Sequence, residues 1–163
     1  VGGSGPELAS LVRLAGDLGV ADRVSFACEA GAGFTKVDGP SFLRDKDIGI
    51  LVSDSEPFGW AILEYMAASC AVIASAVDGA IEMIHDGVDG LLVAPGNHAA
   101  LAAAVRLLIE CPERRESLAT GGFETVCREY HQDRVFPLVE ADLLEVVSAR
   151  RRRRARAATP SAS

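Results

Sequence analysis

Two short apolar runs constrain this chain more than anything else in it: "DIGILVS" at 47–53 and "AVIAS" at 71–75. Neither holds a charge in its interior, and each is too short for most helices. Both therefore read as strands buried on two faces. A helical stretch from about Phe58 to Ala68 separates them. Beyond the second run, "GAIEMIHDG" reads as a short helix closed by Gly87, and "GLLVAPGN" as a strand stopped by Pro95-Gly96. Upstream, Pro6 suits the first turn of a helix whose Leu8, Leu11, Val12 and Ala15 recur at helical spacing as far as Gly19. "RVSFA" then predicts a strand, and "SFLRDK" at most a short helix. Asn97 is placed to cap a helix with the stripe Leu101, Ala104, Val105 and Leu108. From Pro112 onward only helices are predicted, the last lined by Phe136, Val139, Leu143 and Val146.

Strands separated by helices imply parallel neighbours joined by right-handed crossovers, with helices covering both sheet faces. The expected fold class is α/β: a doubly wound parallel sheet, a Rossmann-like half. The opening "VGGSGPE" looks like the end of a strand entering a turn, so the chain is read as a piece that is incomplete at its amino end.

The net charge of −7 hides an asymmetry. Six of the 16 basic residues, Arg150 to Arg154 and Arg156, lie in the last 14 positions, which carry no acid. Residues 1–149 therefore hold 10 basic against 23 acidic side chains, a charge of −13. Such a body is unsuited to nucleic acid, whose phosphates call for clustered Lys and Arg. The tail, 150–163, has no apolar face and dense like charge, which predicts disorder. It also offers an electrostatic hold on an anionic membrane surface. Cys28, Cys70, Cys111 and Cys127 show neither Cys-x-x-Cys pairs nor zinc-ligand spacing, which favours reduced thiols and a cytoplasmic setting, with no metal. No run of eighteen or more uncharged apolar residues and no signal peptide is apparent. His85, His98 and His131 are scattered without a partner acid and read as surface or capping residues.

Chemistry concentrates in "SDSEPFGWAILEYMAASCAVIAS". In such sheets ligands bind beyond the carboxyl ends of the strands, where this segment falls. Pro57 fixes a backbone angle, and Gly59 allows close approach. The amides of Gly59, Trp60 and Ala61 then head a helix, an arrangement suited to phosphate. Glu56 precedes that helix start and Glu64 lies about one turn inside, so each carboxylate can accept from vicinal hydroxyls. A diphosphate between two sugars fits this layout. Trp60 is expected to be partly core.

The stretch resembles the signature of the retaining glycosyltransferase family 4, with its two-lobed, glycogen-phosphorylase-like fold. Here the family's pattern stands as Glu56-Pro57-Phe58-Gly59, Glu64-Tyr65-Met66-Ala67 and Ala71-Val72-Ile73-Ala74. In order around it, "VGGSGPE", "DRVSF", "DIGILVS" and "DGAIEMIHDGVDGLLVAPGN" are similar to further family blocks, covering Val1 to about Val146. The resemblance implies a donor-nucleotide-binding lobe over residues 1–149. Glu56, the candidate catalytic residue, would position the donor sugar with the Phe58–Gly59 backbone. The amides of Trp60, Ala61 and Ile62 would meet the diphosphate, and Glu64 would hold the ribose. The turn at Gly2, Gly3 and Gly5 would border the nucleotide. The implied donor is a nucleotide-diphosphate sugar used as substrate, with no cofactor and no bound metal. A glycan or lipid-linked acceptor would bind through an amino-terminal lobe that also carries the family's Arg and Lys. The implied activity of the intact parent is hexosyltransferase-like, with the fragment inactive alone and the parent cytoplasmic or peripheral at the inner membrane face.

Three departures stand out. Ser69 and Ala71 replace a Gly and a Pro, Cys28 replaces a Gly, and Val77-Asp78-Gly79 replaces a Gly-Gly pair. They leave open a non-catalytic sugar-nucleotide-binding or scaffold domain. A dinucleotide oxidoreductase fits less well, because "GGSGPE" lacks the Gly-x-Gly-x-x-Gly spacing.

Overall fold

The computed structural model describes residues 6–27 and 42–158, without the side chains of 145–147 and 149–158. The glycine turn at Gly2, Gly3 and Gly5, the segment from Cys28 to Pro40 and the last five residues lie outside it. The chain divides into two compact units, residues 1–46 and 47–163.

In the first unit, helix α1 (Leu8–Asp17) forms where the periodicity places it, and Gly19 follows in the left-handed region at φ 65°. Only Ala15 of its stripe is buried. The chain then makes a 3-10 turn, Ala21–Arg23. The strand expected at "RVSFA" is reduced to extended Val24 and a single β-bridge at Ala27, with no ladder among the described residues.

The second unit contains the sheet. Strands β1 (Ile48–Leu51), β2 (Ala71–Ser75) and β3 (Leu91–Val93) run parallel in that order, with Ile48 opposite Ala71 and Ile73 opposite Leu91. Helix α2 (Trp60–Ala67) links β1 to β2, and α3 (Asp78–Met83) lies between β2 and β3. They are followed by α4 (His98–Glu110), α5 (Pro112–Thr125), a π-helical turn (Val126–Tyr130) and α6 (Gln132–Ala158). The Asn97 side chain caps α4, its Oδ1 accepting from the Ala100 amide at 3.0 Å.

All five residues of β2 are buried. Successive side chains on a strand point to opposite faces, so Val72 and Ala74 join Ile62, Leu63, Met66 and Met83 under α2 and α3. Ala71 and Ile73 join Leu108 and Leu118 under α4 and α5. The sheet is therefore covered on both faces, as the apolar runs predict.

Two departures from the expected boundaries have physical causes. Helix α3 ends at Met83 rather than at Gly87, because Ile84 is extended and Asp86 bridges to Gly90. A buried carboxylate organises this turn. Asp89 accepts from the His85 amide at 2.7 Å, pairs with His85 Nδ1 at 2.8 Å and accepts from the Thr125 hydroxyl at 3.0 Å. His85 thus has a partner acid after all, four residues ahead across the turn. The Arg-rich segment is also not a break, since the α6 backbone stays helical to Ala158. Arg and Ala are strong helix formers, and the first breaker beyond them is Pro160. Phe136, Val139 and Leu143 of α6 are exposed.

Gly49 and Tyr65 form a coupled pair. A β-carbon on Gly49 would collide with the Tyr65 ring, so the bare strand backbone is what admits this ring where the family pattern has Ala. At the end of α2, Ser69 takes the left-handed conformation at φ 58°, in the place of the family's Gly. A side chain there costs about 1–2 kcal/mol.

Gly49→Ala should therefore destabilise the protein by about 1–3 kcal/mol through overpacking. Adding Tyr65→Ala should return much of that loss, a non-additivity readable from urea unfolding of the double-mutant cycle. Burial holds the phenols of Tyr65 and Tyr130 above their ordinary pKa of 10.0, helped by the neighbouring Glu64 and Glu129 carboxylates. These are the chain's two tyrosines. The folded state keeps those protons longer than the unfolded chain, so stability is full below pH 10 and falls as pH rises through the folded-state values. Phenolate absorbance should titrate above that of the urea-unfolded chain.

Candidate functional site

The segment between β1 and α2 lies at the carboxyl end of the sheet, where a strand of a parallel α/β unit hands the chain to a helix start. Its shape is set by the backbone. Gly59 has φ 86°, a conformation side chains resist, and turns the chain into α2. Half-buried Glu56 folds back, and its Oε1 accepts from the Gly59 amide at 3.0 Å. From below, the Gly79 amide donates to the Glu56 carbonyl at 3.0 Å. A β-carbon on Gly79 would come within 2.8 Å of the Glu56 carbonyl oxygen and 2.9 Å of that of Phe58. The glycine kept in Val77-Asp78-Gly79 is thus the one on which the loop rests. Ser55 and Asp78 add a long hydrogen bond of 3.4 Å across the same contact.

This geometry changes the expected roles of several amides. The Gly59 amide is engaged by Glu56, and the Ile62 amide donates to the Gly59 carbonyl at 2.9 Å, while the Ile62 side chain is fully buried in the core. The amides left at the helix start are those of Trp60 and Ala61, with no carbonyl one turn back to receive them. Trp60 is not core: it is 70% exposed, and its ring tilts against Phe58 with centroids 4.9 Å apart. Glu64, four residues on, is exposed on the same stripe of α2. The structure therefore brings Glu56, Phe58, Gly59, Trp60, Ala61 and Glu64 together on one loop–helix unit. Gly2, Gly3 and Gly5 lie outside the described residues. No group of three or more His, Cys, Asp or Glu placed to hold a metal occurs among the described residues.

The periodicity did not reveal Gly79 as the support of the loop, nor a second cleft at this end of the sheet. That cleft, of about 180 Å³, is lined by Ser53, Asp54, Ser75, Asn97 and His98 among others. The only sequence signal for either was position, since each follows a predicted strand.

The family model for glycosyl transferases group 1 matches residues 1–125. The chain belongs to this family. Among relatives of this group 1 chain, the lipopolysaccharide core biosynthesis glycosyltransferase LpsD of Rhizobium meliloti (strain 1021) is 36% identical over 76% of the chain and 34% of its own length. A D-inositol 3-phosphate glycosyltransferase of Frankia alni (strain DSM 45986 / CECT 9034 / ACN14a) is 38% identical over 69% of the chain and 26% of its own length. The chain thus spans well under half the length of the curated relatives it matches. Among solved structures, Anabaena Alr3699/HepE in complex with UDP-glucose superposes with a TM-score of 0.74 at 25% identity, covering 91% of this chain and 40% of that one. Sucrose-phosphate synthase from Thermosynechococcus elongatus gives 0.76 at 26% identity, covering 90% and 37%.

Gly79→Ala should lift the loop that carries Glu56 and cost about 1–3 kcal/mol, because the opposing atoms are backbone and cannot swing away. The check is a lowered midpoint of thermal unfolding, together with amide chemical-shift changes centred on Glu56 to Trp60. Wild-type stability would remove Gly79 as the loop's support.

Proposed function

We propose that this chain is the donor-binding lobe of a retaining glycosyltransferase that takes a nucleotide-diphosphate sugar as substrate. The observation that carries this reading is the loop–helix unit at the end of β1: two amides heading α2, a carboxylate on either side of them, and an exposed aromatic pair. In the proposed complex the Trp60 and Ala61 amides and the α2 dipole receive the diphosphate. Glu64 accepts from the ribose hydroxyls. Glu56, already fixed through one oxygen to the Gly59 amide, presents its other oxygen to the donor sugar, with the Phe58–Gly59 backbone beside it. The glycine turn at Gly2, Gly3 and Gly5 borders the nucleotide.

Family membership supports this reading, as does a related fold solved with UDP-glucose. Helix-start amides and positive side chains stabilise a departing diphosphate without a metal, because preorganised dipoles meet the charge as it develops. The positive side chains and the main binding surface for a glycan or lipid-linked acceptor are assigned to the remainder of the longer protein, so the 163-residue chain alone transfers nothing. The proposed setting is the cytoplasmic side of a membrane, with Arg150–Arg156 near anionic lipid contributing about 1 kcal/mol each. No helix among the described residues is long and apolar enough to cross the membrane.

Glu64→Gln should weaken UDP-glucose binding about tenfold or more, since a hydrogen bond to a charged group contributes roughly 1.5–3 kcal/mol. An unchanged dissociation constant in calorimetry would place Glu64 outside the site. The full-length protein should release a product whose anomeric configuration, read from proton coupling, matches the donor, and its activity should survive chelator. An inverted anomer would sink the retaining mechanism. Donor binding without turnover would favour a non-catalytic sugar-nucleotide-binding domain.

A further inference from the structure

The second cleft has a chemistry of its own. β1, β2 and β3 all end at it: Ser53 and Asp54 follow β1, Ser75 closes β2, and Asn97 and His98 follow β3 into α4. The Ser53 amide donates to the Ser75 hydroxyl at 3.2 Å, fixing the wall between β1 and β2. Asn97 spends its Oδ1 on the Ala100 amide, which leaves its NH₂ group available. The exposed Asp54 carboxylate makes no hydrogen bond among the described residues. Acceptors and donors are therefore mixed. Asp54 disfavours an anion, and the positive end of the α4 dipole disfavours a cation. A neutral group with several hydroxyls satisfies both, donating to Asp54 and accepting from Asn97 and His98. At about 180 Å³ the cleft is smaller than pockets for drug-sized ligands, which suits a single ring.

Its outer end supplies the second half of the argument. His98 and Leu101 also line a groove of about 460 Å³ along α4, continued by Ala102, Val105 and Ile109 beside Arg106. The groove walls are almost wholly apolar. A cleft that sets polar groups among Val52, Val93, Ala94 and Leu101, and opens on an apolar groove, matches an amphiphile. Glu56 follows Asp54 by two residues along the chain.

We propose that this cleft binds a neutral, hydroxyl-bearing ring with an apolar substituent, supplying the donor lobe's share of the acceptor site. The inference rests on the proposed function only in calling the ligand an acceptor. The donor's own hexose shares the ring chemistry but carries no apolar substituent, so the two sources can be separated.

The test is amide NMR of the 163-residue chain titrated with methyl, butyl and hexyl glucoside, hexan-1-ol, UDP and UDP-glucose. Methyl glucoside should shift Ser53, Asp54, Asn97 and His98. Hexyl glucoside should also shift Ala102 and Val105 and bind about tenfold tighter, a fraction of what full burial of the added methylenes would give. Asp54→Ala should weaken methyl glucoside about tenfold, and Ala102→Glu should remove the gain from the alkyl chain. Both positions are exposed, and dispersed spectra check that the variants fold. UDP should shift Trp60 to Glu64 equally in all three proteins. Three results would overturn the proposal: no glucoside shifts at tens of millimolar, equal shifts with hexan-1-ol, or UDP-glucose shifting the cleft while alkyl glucosides do not. Glucoside binding in the cleft with no UDP response would uphold the sugar site and overturn the donor reading instead.

Discussion

The second unit depends on β2 being dry on both faces. Its five buried residues carry no charge, and their alternation sends Val72 and Ala74 to one helix layer and Ala71 and Ile73 to the other. Apolar burial contributes roughly 25 cal/mol per Å² without regard to direction, so a strand able to satisfy two layers must sit in the middle. With β2 central, β1 and β3 can only flank it, and the register Ile48–Ala71 and Ile73–Leu91 follows. That register brings the carboxyl ends of all three strands to one edge. The loop carrying Glu56 and the cleft holding Asp54 are both consequences of it.

The site is built by contacts between neighbouring strand–helix units, and no single motif contains them. Glu56 belongs to the β1–α2 connection, but the atoms beneath it come from Gly79, after β2. Because a buried carbonyl needs a donor, the Gly79 amide both fills the space and satisfies the Glu56 oxygen. Asp89 has the same role at the opposite end of α3, where its carboxylate ties the turn before β3 to Thr125 of α5. Both contacts bridge segments far apart in sequence: 23 residues in one case and 36 in the other.

This distinction explains what could be read from the sequence. The three strands of the sheet, the order of helices, the Asn97 cap and the placement of Glu56 and Glu64 around a helix start are local, and apolar spacing and turn chemistry report local structure well. What escaped was long-range. His85 looked partnerless because Asp89 gave no sign of being buried. Ile62 looked like a donor of open amide because the tight turn back to the Gly59 carbonyl depends on Gly59 adopting a positive φ. Trp60 looked like core because a large aromatic usually is, whereas here Ile62, Leu63 and Met66 already fill the buried side of α2 and leave Trp60 the outside. Helix α6 outran its expected end because like charge was weighed above the helix propensity of Arg and Ala.

The contact of Gly79 with the Glu56–Phe58 backbone also sets a rule for recombination among relatives. The 56–67 segment looks like a self-contained cassette, since it holds every side chain of this chain proposed to meet the donor. It is not one. A swap that imports this segment onto a host whose residue 79 bears a side chain would deliver the right residues on a displaced loop. The unit of inheritance is the pair 56–67 and 77–79, and grafts or family-wide shuffling should move the two together.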